Sequence, residues 1–196
     1  MNYLAHAYLS FGYPEILVGN IISDFVKGKT KFQYSKNIQN GIALHRLIDN
    51  FTDAHAATHQ AKKVFKSAVG LYSGAFVDIV YDHFLANDTN ELPANKWVEF
   101  SQTAYQSLSN YQTIFPERFA KMFPYMKHQN WLYNYRFAWG IENSFRGLVH
   151  RAAYLQSSAE AFNLFQKEYE ILQDCYNHFF SDVKNYAFNQ LQQFLQ

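Results

Sequence analysis

Along the last third of the chain, apolar residues recur at Phe162, Phe165, Tyr169, Leu172, Tyr176, Phe179, Val183 and Tyr186, alternately three and four residues apart. With 3.6 residues per turn, positions at those intervals share one face, so the pattern predicts one continuous apolar seam on a helix. Ser157 followed by Glu160 offers a capping box at its start. At 1.5 Å per residue the predicted helix is roughly 40 Å long. Upstream, Leu44, Leu47, Ile48 and Phe51 form one stripe of a helix from Ile42 to about Thr58, and another helix is predicted from about Ser73 to Leu85. Segments 95–111, 116–127 and 129–152 are helical by composition, with Pro93, Pro116 and Pro124 marking breaks. Trp131, Tyr133, Tyr135, Phe137 and Trp139 alternate as in a strand. A lone strand has nothing to pair with, so this stretch is assigned to helix as well. No repeat, low-complexity linker or domain boundary interrupts the pattern. The expected fold is an all-α, single-domain bundle over 1–196 with a long C-terminal helix as its spine.

Composition agrees with that reading. Only 4 Pro and 8 Gly in 196 residues favour long rods over many turns. The 19% aromatic share predicts a core built largely from Phe and Tyr. The single cysteine, Cys175, excludes an internal disulfide and fits a reducing compartment. No run reaches the about 18 consecutive apolar residues of a membrane helix, and the N-terminus lacks the basic start of a signal peptide. A cytoplasmic location is therefore expected. The formal net charge of +1 argues against a general nucleic-acid binder. Two lysine groups, Lys27, Lys29, Lys31 and Lys36, then Lys62, Lys63 and Lys66, offer an acidic partner a docking face, or are simply solvated.

Candidate chemistry concentrates in the first half. The segment Phe76–Leu85 is apolar nearly all round, which predicts a buried helix, yet it carries Asp78 and Asp82 one turn apart and His83 beside them. Like charges at that spacing repel, and two buried unpaired carboxylates would cost several kcal/mol or have to protonate. A bound cation removes the difficulty; a salt bridge to Arg46 or a lysine is the alternative. His45 and Asp49 stand at i and i+4 on the helix from Ile42, with Thr52 and Asp53 continuing that face. Such a pair suits a metal ligand with its neighbour, or a histidine oriented by a carboxylate. His6 lies among apolar residues near the chain start, and Asp24 interrupts another apolar run. Gly28-Lys29-Thr30 resembles the end of a phosphate-binding loop, but Ser23 stands where that motif needs glycine. His55, His59, His128, His150 and His178 have polar neighbours and are assigned to the surface. Glu142 lies amid aromatics with nothing specific to support a role.

The blocks Asn2-Tyr-Leu-Ala-His6, Gly19-Asn-Ile-Ile-Ser-Asp24-Phe, Gly41-Ile-Ala-Leu-His45-Arg46-Leu-Ile-Asp49 with Thr52-Asp53, and Asp78-Ile-Val-Tyr-Asp82-His83-Phe-Leu resemble the acyl carrier protein phosphodiesterases. Four such blocks in order make a specific match over roughly 1–185. The resemblance implies a helical fold distantly akin to the HD-domain phosphohydrolases and a divalent-cation dependence, typically on manganese, with magnesium, iron and zinc open. It implies hydrolysis of the phosphodiester between 4'-phosphopantetheine and a serine of holo-acyl carrier protein. Carried over, it puts His6, Asp24, His45, Asp49, Asp78, Asp82 and His83 around the metal; of these, His6, Asp24, His45, Asp78, Asp82 and His83 are the expected ligands, and His45, Arg46, Asp49 and His83 are expected in catalytic roles. His83 or His45 is the expected proton donor. Arg46 and Lys27 are expected on the phosphate, with Lys29 and Lys31 toward the acidic carrier protein. One departure is Ala86-Asn87-Asp88, where a basic or aromatic residue is expected after His83-Phe84-Leu85. Two other functions fit the same residues: an HD-like phosphohydrolase acting on a nucleotide or small phosphoester, and a non-enzymatic metal-binding scaffold.

Overall fold

In the computed structural model, which describes residues 1–196, two helix backbones approach closely where two glycines meet. Helix α2 (Pro14–Ile22) crosses helix α3 (Lys36–Ala54) with Gly19 against Gly41. A Cβ on Gly19 would lie 2.1 Å from the Ile38 carbonyl oxygen, and one on Gly41 2.3 Å from that of Ile16. No side chain fits there. Because the backbones touch, the Ser23 hydroxyl reaches the Ile42 carbonyl and the Asn20 carbonyl reaches the His45 ring. Ahead of this crossing lies the short α1 (Tyr3–Tyr8), turned into α2 through Phe11 and Gly12, both at positive φ.

The remaining helices are α4 (Ala56–Val69), α5 (Ser73–Asn87), α6 (Trp97–Ser109), α7 (Glu117–His128), α8 (Trp131–Asn134), α9 (Ala138–Arg151), α10 (Ala159–Lys167) and α11 (Tyr169–Leu195). There is no strand, and one hydrophobic core runs from Met1 to Leu191, so the chain is a single all-α domain. Helix α5 is the centre of the bundle. Ten of its side chains from Phe76 to Ala86, apart from Asp78, are buried, and it packs against α1, α4, α9 and α11. The run Ala56–Asn87 is long and apolar enough, by composition, to cross a membrane. Here it is two helices, joined by the turn Gly70–Tyr72, that bury Phe65 and Phe76 against Phe145.

Several predicted elements differ in their ends. The helix expected to run to Thr58 stops at Ala54. His55 is extended, and its Nδ1 accepts the Ala57 N–H at 3.2 Å, so this histidine caps α4 rather than standing free on the surface. The C-terminal seam is buried as predicted at Phe165, Leu172, Tyr176, Phe179 and Val183, but it belongs to two helices that meet at Glu168. Hydrogen bonds from Glu168 N–H to the Leu164 carbonyl and from Leu172 N–H to the Glu168 carbonyl keep the register across the join. Periodicity reports the buried face, and a one-residue bend leaves that face intact. The capping box does not form as drawn: Ser157 accepts from Ala159 instead. Pro124 lies within α7 and does not end it. One lost hydrogen bond is offset there by burial of Phe119, Phe123 and Met126. The 129–152 segment divides into α8 and α9 at Phe137, which is extended.

Candidate active site

Helices α1 and α3 bring two histidines face to face. The His6 and His45 rings stack with centroids 3.9 Å apart. Asp49, one turn beyond His45, reaches both: its Oδ1 lies 3.1 Å from His6 Nε2 and its Oδ2 3.1 Å from His45 Nε2. Asp24, from the turn after α2, places Oδ1 3.1 Å from His45 Nε2. Ligand atoms from His6, His45 and Asp49 all lie within 4.8 Å of one another. Both histidines are buried, whereas the Asp24 side chain is 69% exposed, so the cluster opens to solvent on that side.

The backbone fixes the chemistry of His45. Its Nδ1–H donates to the Asn20 carbonyl at 2.8 Å, so Nε2 is the nitrogen left to face two carboxylates. A bare lone pair there would be repelled. Either a proton or a metal cation must occupy the space. Burial pulls the His45 pKa down, but hydrogen bonds to Asp24 and Asp49 outweigh it and push it up to about 9. His6 goes the other way: burial and the adjacent His45 charge hold it down to about 4, against the pull of Asp49. Burial alone would raise Asp49, yet its bonds to His45 and His6 hold it well below the usual carboxylate range. The His45 hydrogen bond likewise lowers Asp24. His6 Nδ1 is buried with no partner. His6, His45 and Asp49 converge on one point with Asp24 beside His45, and two imidazoles with two low-pKa carboxylates are donor chemistry that fits manganese, iron or zinc.

Asp78 and Asp82 have another answer to their charge. The Met1 amino group is buried 2.9 Å from Asp78 Oδ1 and 3.4 Å from Asp49 Oδ1. Burial would lower its pKa, but these two carboxylates outweigh that and push it up to about 10. Asp82 accepts backbone N–H groups of Asn2, Leu4 and Ala5 at 3.3, 2.7 and 3.2 Å. These are donors that the first turn of a helix leaves unpaired, so Asp82 caps α1 from across the core. Burial raises Asp78, and it raises Asp82 to about 7, each against the nearby ammonium and, for Asp82, the backbone bonds. The buried pair was expected to need a cation and to supply metal ligands. The ammonium and the helix terminus meet that need, and the two carboxylates hold α1, and so His6, in place.

His83 is not brought to the cluster. Successive helical residues diverge by about 100°, so His83 points away from the face that Asp82 presents to α1. Its Nδ1 lies 2.7 Å from the Tyr135 carbonyl oxygen and its Nε2 2.9 Å from the Tyr169 hydroxyl. Burial holds its pKa down, against the Tyr135 bond. With both nitrogens engaged in the core, it is a packing residue in this geometry. The departure at Ala86-Asn87-Asp88 is structural too: Asn87 donates to the His83 and Arg136 carbonyls, and Asp88 accepts from Tyr176.

On the exposed side, Arg46 Nη2 donates to the Val26 carbonyl at 3.3 Å. Lys27 and Lys29 are exposed and Lys31 half-buried on the turn that follows Asp24. These basic residues follow closely in the chain on Asp24, which stands at the cluster's open edge. In the second lysine group, Lys62 is paired with Asp53 at 2.6 Å. Sequence reasoning missed two contributors, the Met1 amino group and the Asn20 carbonyl. Both are backbone groups, and neither leaves a sequence signature.

An open cluster of two imidazoles and two carboxylates in an all-α fold is the kind of site that suits hydrolysis of phosphate esters. More particularly, the chain belongs to the acyl carrier protein phosphodiesterase family, whose model matches residues 1–183. It is 30% identical over 170 residues to an acyl carrier protein phosphodiesterase of Photorhabdus laumondii, covering 86% of each chain. It is 29% identical to that of Yersinia pestis, over 95% of this chain and 97% of the relative. The corresponding protein of Salmonella paratyphi A is 28% identical over 92% and 94%. No solved structure matches, so the expected kinship with the HD fold rests on the resemblance alone.

Proposed function

We propose that this enzyme hydrolyses the phosphodiester joining 4'-phosphopantetheine to a serine of holo-acyl carrier protein, with a divalent cation held by His6, His45, Asp49 and Asp24. The observation that carries the reading is the convergence of His6 Nε2, His45 Nε2 and Asp49 on one point, with the Asn20 carbonyl turning His45 toward it. The names of the relatives supply the substrate class. A divalent cation bound there would neutralise phosphate charge and lower the pKa of a bound water; manganese is the one the resemblance implies, and the mixed His/carboxylate set suits it.

The chain's own residues do the rest. Asn20 fixes the His45 tautomer, and the Met1 amino group and Asp82 hold Asp49 and α1 against α5. Asp24, at the exposed edge, faces the incoming diester. Arg46 and Lys27 serve the phosphate, and Lys29 and Lys31 an acidic carrier protein. In the net reaction water gives its hydroxyl to phosphorus and its remaining proton to the departing serine oxygen, yielding apo-protein and free phosphopantetheine.

Incubation with manganese and holo-acyl carrier protein, followed by intact mass, should give complete loss of the phosphopantetheine mass. Prior chelation should prevent it. The His6→Ala variant should lower kcat/KM by more than about 100-fold, beyond the 10–100-fold typical for loss of an outer-sphere partner. An unchanged carrier mass alongside turnover in a nucleotide panel would instead identify a small-phosphoester hydrolase.

A further inference from the structure

Beside the cluster, and sharing none of its four polar side chains, lies a cavity of about 590 Å³ between the start of α1 and helices α5, α8 and α9. That is within the range of small-molecule sites. Trp131, Tyr135 and Trp139 line it as aromatics, with Asn2, Asn134 and Asn143, whose amides each have one end engaged, with Tyr3 N–H, the Gln129 carbonyl and Arg146 respectively, and the other end free. Arg151, at the end of α9, is its only charged residue and takes part in none of the protein's ion pairs. At Gly140 the wall is closed, because a Cβ would lie 2.0 Å from the Asn134 carbonyl oxygen. At Gly147 it is open, and a Cβ would meet nothing within 4 Å.

The cavity and the site share helix α1. Asn2 and Tyr3 line it, and His6 follows one turn later, a rise of about 4.5 Å along the helix axis. The Tyr3 phenol, raised chiefly by burial to about 12, feels both the Arg151 guanidinium and the Asp24 carboxylate. An extended ligand anchored at the cluster would meet this space by running along α1 toward its N-terminus. Its lining asks for a neutral, amide-bearing, partly aliphatic chain that carries a single anionic end.

We propose that this cavity receives the pantetheine arm of the substrate, its amides against Asn2, Asn134 and Asn143, its aliphatic parts against Trp131 and Trp139, and Arg151 on the phosphate. The inference rests on the phosphodiesterase reading above for the identity of the ligand. It adds that the enzyme selects its diester by the group on the phosphopantetheine side of the bond, and not only by the carrier protein.

Binding is tested with pantetheine itself, which lacks the phosphate, followed by indole fluorescence. Wild-type protein should give a saturable change, since Trp139 is 51% exposed and faces the cavity with Trp131. Gly147→Phe, whose new side chain starts in open space, should weaken that binding by about tenfold or more and lower kcat/KM on holo-acyl carrier protein comparably. It should leave hydrolysis of bis(4-nitrophenyl) phosphate, which has no arm, unchanged. Trp139→Ala, a truncation at an exposed position, is the second variant and should act in the same direction. Arg151→Gln should leave pantetheine affinity intact while raising KM for the holo-carrier, and Arg151→Lys should restore part of the loss. If pantetheine does not bind the wild-type protein, or if Gly147→Phe alters neither its binding nor holo-carrier turnover, the cavity is not the arm site. If the wild-type enzyme leaves the holo-carrier intact, yet pantetheine binds and Gly147→Phe abolishes that binding, the arm site stands and the phosphodiesterase reading falls.

Discussion

Asp49 and Asp82 are both acidic residues on core helices, yet they do different work because they meet different partners. Asp49 lies between two imidazoles and the Met1 ammonium, where a cation in the cluster would use its lone pairs. Asp82 faces three backbone N–H groups that have no other acceptor in α1. Asp82→Asn removes the charge while keeping the shape, and it replaces one of the two accepting oxygens by an NH2 that cannot accept from the three N–H donors. It should therefore destabilise the fold by about 1–3 kcal/mol, read from a denaturant titration, with any loss of turnover following from the displaced α1. Wild-type stability in that variant would mean that Asp82 does not cap α1. The physical argument from sequence was sound in part: buried carboxylates at that spacing do require positive charge. What it could not see was that the chain's amino group and a helix terminus supply that charge.

At the level of elements, the site depends on how closely α2 and α3 approach. The Gly19–Gly41 contact sets the distance from the Asn20 carbonyl to the His45 ring, and hence the tautomer. Gly19→Ala places a methyl 2.1 Å from the Ile38 carbonyl oxygen, so the helices must separate. The expected cost is about 1–3 kcal/mol in thermal or chemical unfolding, together with reduced turnover. Gly147→Ala is the matched control. Its methyl enters open space on a helix, so it should raise stability by roughly 0.5–1 kcal/mol, the usual helix penalty of glycine. Helix α5 shows why neighbouring residues part company. Asp82 and His83 are adjacent in sequence, and the 100° step between them sends one to α1 and the other to Tyr135 and Tyr169.

Across the whole molecule, charge is nearly balanced, and only its distribution suggests a partner. The basic run of Lys27, Lys29 and Lys31 begins three residues beyond Asp24, which stands at the open edge of the cluster, while Lys62 is committed to Asp53. An acidic carrier protein steered by that run should feel its reversal strongly in dilute buffer. The double variant Lys27→Glu/Lys29→Glu should lower kcat/KM on holo-acyl carrier protein by about tenfold at low ionic strength. The deficit should shrink as salt rises, because exposed charges are screened beyond about 10 Å at 0.1 M. A deficit that salt does not change would place these lysines in the reaction itself rather than in docking.

By itself the sequence determined the helical class, because a 3.6-residue period is a local property that survives any later packing. It also put His45 and Asp49 on one face of a helix, by spacing alone. Only the tertiary structure decided which polar residues meet. His6 and Asp24 join that pair because α1 and the turn after α2 are folded against α3. Asp78 and Asp82 turn to the start of α1, and His83 turns into the core. The orienting carbonyl of Asn20, the Met1 amino group and the cavity ending at Arg151 belong to no motif, since each arises from backbone or from residues distant in sequence. Periodicity assigns a residue to a face, and packing alone assigns that face its partner.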